Sequence, residues 1–155
     1  MPVIRRATPS DIDRLIEIRA AVRENVLSDP GSVTRADYDR FVGQARVWVA
    51  MVGDQITGFS ASDERDGSIW ALFVDPAHTG RGIGTILLNC ACRDLRADGF
   101  AVARLGTDPG TVADRLYRRL GWQAVGRDHS GEVVFEFALH VAEDILDSPW
   151  SKIIS

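Results

Sequence analysis

The stretch Val74-Asp75-Pro76-Ala77-His78-Thr79-Gly80-Arg81-Gly82-Ile83-Gly84-Thr85 decides how this chain is read. Glycines alternate at positions 80, 82 and 84, between an apolar segment ending at Val74 and a helical pattern starting near Gly82. Glycine lets successive backbone N–H groups approach a ligand with no Cβ in the way. The start of a helix adds partial positive charge, and Arg81 adds a full one. Together these make a cradle for a phosphate or pyrophosphate.

Two familiar phosphate loops are excluded by spacing. A Walker A loop needs lysine and then Ser/Thr after its last glycine, but Gly84 is followed by Thr85-Ile86. A dinucleotide fingerprint needs a third glycine at 85 or 87, which are threonine and leucine.

Working outward, Ile69 to Val74 is the most apolar of three strand patterns, after Val47–Val52 and Ile56–Ala61, with turns at Gly53-Asp54 and Asp63–Gly67. They read as an antiparallel meander. Upstream lie a short strand, Val3–Ala7, and a helix opened by Thr8-Pro9-Ser10-Asp11. Its apolar positions are Ile12, Leu15, Ile16, Val22 and Val26, with a stop at Ser28–Gly31. A second helix spans Thr34–Val42, with Tyr38, Phe41 and Val42 inward.

Downstream, Gly82–Ala97 is helical, with Ile83, Ile86, Leu87, Cys90, Ala91 and Leu95 on one stripe and a stop at Gly99. A buried strand, Ala101–Leu105, comes next, then a helix from Thr111 to Leu120 that ends at Gly121. Trp122–Val125 and Glu132–Leu139 are the closing strands. A short helix is expected over Val141–Leu146 in the tail.

The chain is 155 residues long, a one-domain length. The reading is one domain over 1–139 and a tail over 140–155. Its net charge of −4 argues against nucleic acid or an anionic membrane as partner. No uncharged apolar run approaches the roughly 18 residues that span a bilayer, and residues 1–13 lack a signal peptide's apolar centre. The expected location is cytoplasmic. Cys90 and Cys92 fall two apart on a helix and face nearly opposite sides, so they cannot pair with each other. No cluster of His, Cys and acid at ligand spacing calls for a metal.

The frame Thr79-Gly80-Arg81-Gly82-Ile83-Gly84 resembles the acyl-CoA loop of the GNAT N-acetyltransferase superfamily, Gln/Arg-x-x-Gly-x-Gly/Ala. Ala113–Trp122 is similar to that family's second signature, a helix ending in Tyr-x-x-x-Gly-aromatic, with Tyr117, Gly121 and Trp122 in those places. The opening Ile4–Thr8 with Asp11, and the order of elements, match as well, so the resemblance runs from about residue 3 to 139. It implies an α/β (α+β) fold with a mixed, mostly antiparallel sheet flanked by helices and a splayed strand pair.

It also implies a chemistry: acetyl transfer from acetyl-CoA to a primary amine by direct attack. Residues Thr79, Gly80, Arg81, Gly82, Ile83, Gly84 and Thr85 would hold the pyrophosphate. Main-chain groups of Leu72, Phe73 and Val74 would pair with the pantetheine arm as an added strand, and an N–H near Val74 would hold the oxyanion. Tyr117 would protonate the leaving thiolate. A homodimer is a further expectation from similar proteins.

The match has three departures. Thr79 stands where the pattern has Gln or Arg, Gly110 where asparagine is usual, and Ser68 where many members carry an acid. The general base is therefore unassigned among Glu24, Asp63, Glu64, His78 and a relaying water. Arg115, Arg118 and Arg119 read as a solvated face or as a wall for the adenosine 3′-phosphate. The rival reading is a non-catalytic acyl-CoA-binding or sensing domain.

Overall fold

The computed structural model describes residues 2–22 and 33–139. The expected helix at 141–146 and Glu24 lie outside them.

Among the described residues seven strands form one mixed sheet in the order β1-β2-β3-β4-β5-β7-β6. They are β1 (Val3–Arg6), β2 (Val47–Val52), β3 (Gln55–Asp63), β4 (Ser68–Val74), β5 (Val102–Thr107), β6 (Gln123–Arg127) and β7 (Val133–Ala138). The meander β2-β3-β4 is antiparallel as expected, and β1 joins its edge through Val3↔Met51 to Arg6↔Trp48. β4 and β5 are the parallel pair, and β7 sits between β5 and β6, antiparallel to both. Among the described residues four helices flank the sheet: α1 (Ile12–Ala21), α2 (Arg35–Gly43), α3 (Ile83–Ala97) and α4 (Val112–Arg119).

Helix starts follow the capping residues. Asp11 accepts the Thr8 N–H at 2.8 Å and holds the Arg5 guanidinium through both oxygens. At α2, Asp37 Oδ2 accepts the Thr34 N–H at 2.8 Å while Thr34 Oγ1 accepts the Asp37 N–H, a reciprocal box that satisfies two donors left over by the helix.

Three corrections concern the helices and the last hairpin. α1 ends at Ala21, with Val22 already extended (φ −84°, ψ 94°), while Val26 lies outside the described residues. Ile16 is exposed, and Ile18, which completes the Ile12–Leu15 face, is buried in its place. Trp122 closes α4 and is not the first residue of β6.

The core has three parts. One lies between α1, α2 and the face of β2–β4, with Leu15, Ile18, Phe41, Phe59 and Phe73. The other two share α3. Leu88, Ala91, Cys92 and Leu95 pack toward β5 and β7, while Ile83, Ile86, Leu87 and Cys90 pack toward β1 and β2. The two cysteines do face opposite ways, yet both are buried because α3 is covered on both sides. Burial pushes each thiol up to about 12, so neither supplies a thiolate near neutral pH.

Candidate active site

β4 is held along one edge only. Against β3 it pairs through to Gly58↔Val74, but its register with β5 is the single pair Ser68↔Arg104, reinforced by the Arg104 N–H donating to Gly67 C=O at 3.1 Å. From Ile69 to Val74 that second edge has no β5 partner, and β5 runs on to pair with β7 as far as Thr107↔Val133. The strands thus part toward the end of β4. Trp70 has no partner in the β3 register, which shifts between Ala61 and Ser62. This bulge turns Trp70, Ala71 and Phe73 toward α1 and α2, and Leu72 and Val74 toward α3. Nothing local in the sequence announces the extra residue.

The loop after β4 is pinned before it bends. The Asp75 N–H donates to Thr57 C=O at 2.8 Å, and Asp75 Oδ1 accepts the Ala77 N–H at 3.0 Å, which starts a single 3-10 turn at Pro76–His78. Arg14 reaches over from α1, donating to Asp75 Oδ2 at 2.7 Å and to Ile56 C=O at 3.1 Å. The Ala77 N–H and the Arg14 guanidinium hold the Asp75 carboxyl below the usual carboxylate range. The partner of Arg14 lies 61 positions away and leaves no local mark in the sequence.

Gly80 and Gly82 both have φ 78°, the left-handed region that costs a residue with Cβ strain. A Cβ on Gly80 would meet nothing within 4 Å, so its backbone lies open. Gly82 caps α3, whose first turn-closing bond joins the Ile86 N–H to Gly82 C=O at 3.2 Å. The N–H groups of the first turn then have no partner within the helix. Gly84 is inside the helix, where a Cβ would lie 3.6 Å from Val74 Cγ2 and 3.7 Å from Leu116 Cδ2. The loop, the end of β4 and α4 therefore converge there. Ile83 is buried; Thr79 and Arg81 are exposed, Thr79 Oγ1 donating to Pro76 C=O and Arg81 lying 3.4 Å from His78 Nδ1.

Tyr117 is 5% exposed, its ring 5.7 Å from Phe135 and 5.9 Å from Trp122. Burial pushes its hydroxyl well above the usual phenol value and keeps it protonated, with nearby Cys92 adding in the same sense. At the far end of α4, Thr111 Oγ1 accepts the Asp114 N–H, and Asp114 accepts the Gly110 N–H at 2.7 Å and Arg118 Nε–H at 2.7 Å. Gly110 has φ 77°, a conformation asparagine also tolerates. Arg115 donates to Gly110 C=O at 2.9 Å, so Arg115 and Arg118 serve the helix start.

Of the base candidates, Asp63 is bound through both oxygens by Arg65, at 2.9 and 2.7 Å, and those bonds lower its pKa. It pairs with Ser68, at the opposite end of β4 from the glycine loop. Glu64 lies within salt-bridge distance of Arg40 and Arg46. His78 is half-buried in the 3-10 turn. Neither Asp63 nor Glu64 is a free acid at the splayed end. Among the described residues no group of three or more His, Cys, Asp or Glu could hold a metal ion, and no helix is long and apolar enough to cross a membrane.

The fold recurs in known proteins. The solved structure most usefully compared is yncA, a putative acetyltransferase from Salmonella typhimurium with its cofactor acetyl-CoA. It superposes with a TM-score of 0.75 at 20% identity, over 90% of this chain and 94% of that one. In sequence, the uncharacterized N-acetyltransferase YafP of Escherichia coli (strain K12) is 28% identical across 79% of this chain and 81% of its own. A mycothiol acetyltransferase of Streptomyces scabiei (strain 87.22) is 30% identical over 61% of this chain and 34% of its own. The chain spans about a third of the length of several curated relatives it matches. A sequence model of the acetyltransferase (GNAT) domain matches residues 43–124, from the end of α2 into β6 and so across both the glycine loop and the tyrosine helix. By that match and by its fold, the chain belongs to the GNAT acetyltransferase family.

Proposed function

We propose that this chain transfers an acetyl group from acetyl-CoA to a primary amine by direct attack. The observation that carries the reading is the unpaired edge of β4 from Ile69 to Val74, opening beside a left-handed glycine loop at a helix start. An extended pantetheine arm can add to that edge as a strand, through main-chain groups of Leu72, Phe73 and Val74. The pyrophosphate then falls on the amides of Gly80 to Thr85, flanked by Thr79 and Arg81. The relatives named mycothiol acetyltransferase and N-acetyltransferase support the same chemistry.

In the reaction the amine nitrogen bonds to the thioester carbon, and a backbone N–H near Val74 holds the oxygen that gains charge. The carbon–sulfur bond then breaks. Tyr117, kept protonated by burial, passes its proton to the leaving thiolate. The proton lost by the amine leaves through water, since the described acids of the sequence reading are held in ion pairs. That same observation favours the second reading, an acyl-CoA sensor without transfer. A cytoplasmic homodimer remains part of the proposal.

Calorimetric titration with acetyl-CoA, beside Gly82→Glu, tests the site. Binding by the parent and not the variant is expected, and absence of binding by the parent overturns both readings. Release of free thiol with an amine panel separates enzyme from sensor.

A further inference from the structure

Arg19 stands in the last turn of α1 and Tyr38 in α2, and the side chain of neither touches the glycine loop. Tyr38 is 2% exposed; its ring meets Trp70 edge-on at 5.3 Å and Phe59 at 6.3 Å. Arg19, half-buried, lays its guanidinium over Phe73, 4.7 Å from the ring centroid. Trp70 and Phe73 are β4 residues, on the face opposite Leu72 and Val74. Two polar groups therefore converge on the segment of β4 that the proposed reaction uses, from the α1–α2 side.

The Arg19 guanidinium reaches toward the Tyr38 oxygen, yet by geometry neither Arg19 Nη1 nor the Tyr38 hydroxyl has a well-formed hydrogen bond, a standing cost for two buried groups unless an acceptor arrives. Burial keeps the Tyr38 hydroxyl protonated, partly offset by the charge of Arg19 close by. Asp37 also acts on Tyr38, but its Oδ2 is taken by the Thr34 N–H and hydroxyl. One positive charge with one unmet N–H and one unmet O–H is the complement of a single carboxylate, which has two oxygens and one negative charge. A phosphate dianion would bring an uncompensated charge into a buried place.

We propose that Arg19 and Tyr38 bind the carboxylate of the acceptor, so that the acetylated amine belongs to a small amino acid. The inference rests on the acetyl-transfer reading. With the carboxylate held across Phe73, a short amino acid has its nitrogen directed at β4, where the thioester would lie.

The test reads binding and does not depend on turnover. The standard α-amino acids and β-alanine, each beside its carboxamide, are titrated calorimetrically into the full chain with and without saturating CoA. At least one amino acid should bind roughly tenfold or more tightly than its carboxamide, since the site's donors go unmet with the amide. Arg19→Gln should abolish that preference, and Tyr38→Phe, which keeps the ring, should weaken it several-fold. Both should melt as cooperatively as the parent and bind acetyl-CoA unchanged. A preference that survives Arg19→Gln overturns the inference, as does the lack of any amino acid preferred to its amide, or a phosphorylated amine or peptide bound in its place. Failure of acetyl-CoA to bind would strike the acetyl-transfer reading itself.

Discussion

Ala45 carries φ 56° in the turn that ends α2. Its N–H donates to Val42 C=O, and that of Arg46 to Phe41 C=O, both at 3.0 Å. This is the helix stop that glycine makes at 99 and 121, here performed by a residue with a Cβ. Ala45→Gly should therefore raise unfolding free energy by about 0.5–1 kcal/mol, the relief of left-handed strain exceeding the entropy glycine adds to the unfolded chain. Urea denaturation checks it; a loss would mean that the turn is not strained. The turn after α4 explains a motif in the same terms. Trp122 N–H donates to Tyr117 C=O at 3.0 Å and the two rings meet, so tyrosine, glycine and an aromatic at this spacing already make a complete helix stop. Tyr117→Phe keeps that stop, so it isolates the hydroxyl. We expect turnover to fall about 100-fold with acetyl-CoA affinity unchanged. Unchanged turnover would reduce Tyr117 to its packing role.

Between elements, one close fit is where α3 crosses β3 and β4. A Cβ on Gly58 would lie 2.9 Å from Phe73 C=O and 3.1 Å from Leu87 Cδ1. Since the first neighbour is backbone, Gly58→Ala should destabilise by about 1–3 kcal/mol. It should also weaken acetyl-CoA binding, because Phe73 is pushed. An unchanged denaturation midpoint would show that β4 gives way freely. The elements themselves were legible wherever period and punctuation agreed. Tyr38, Phe41 and Val42 marked α2, Gly99 and Gly121 marked two helix ends, and the glycine loop marked the candidate site. What stayed hidden was whatever depends on residues distant in the chain: the Trp70 bulge, the Arg14–Asp75 clamp, the shortened α1 and the meeting of Arg19 with Tyr38. The glycine in place of asparagine at 110 looked like a defect in the motif. Its left-handed backbone and the Asp114 carboxylate on its N–H show a position where the main chain matters more than the side chain.

For the molecule as a whole, several carboxylates are held in the native state below their ordinary pKa. Arg5 and Thr8 hold Asp11, Arg65 holds Asp63, Ala77 and Arg14 hold Asp75, and Gly110 and Arg118 hold Asp114 against its burial. A depressed native pKa contributes stability that is present above the unfolded value, about 3.9, and disappears as pH falls through the folded one. The melting temperature should be flat from neutral pH to about 5 and fall steeply below about 4. Asp11→Asn should lower the plateau and shallow that fall; an equally steep fall would remove Asp11 from the set.

The parting of β4 from β5 makes the sheet two leaves, β1–β4 and β5–β7–β6, hinged at Ser68 and Arg104. What rivets them is α3, whose two buried faces grip one leaf each. Main-chain amides along the open seam then have no strand to shield them in the free protein, and a ligand lying in the seam would act as the missing stitch. Deuterium uptake over 69–74 should be rapid without acetyl-CoA and slow with it, while uptake across β2–β3 stays the same. On the proposed reading, the molecule would complete its sheet only while it holds its acyl donor.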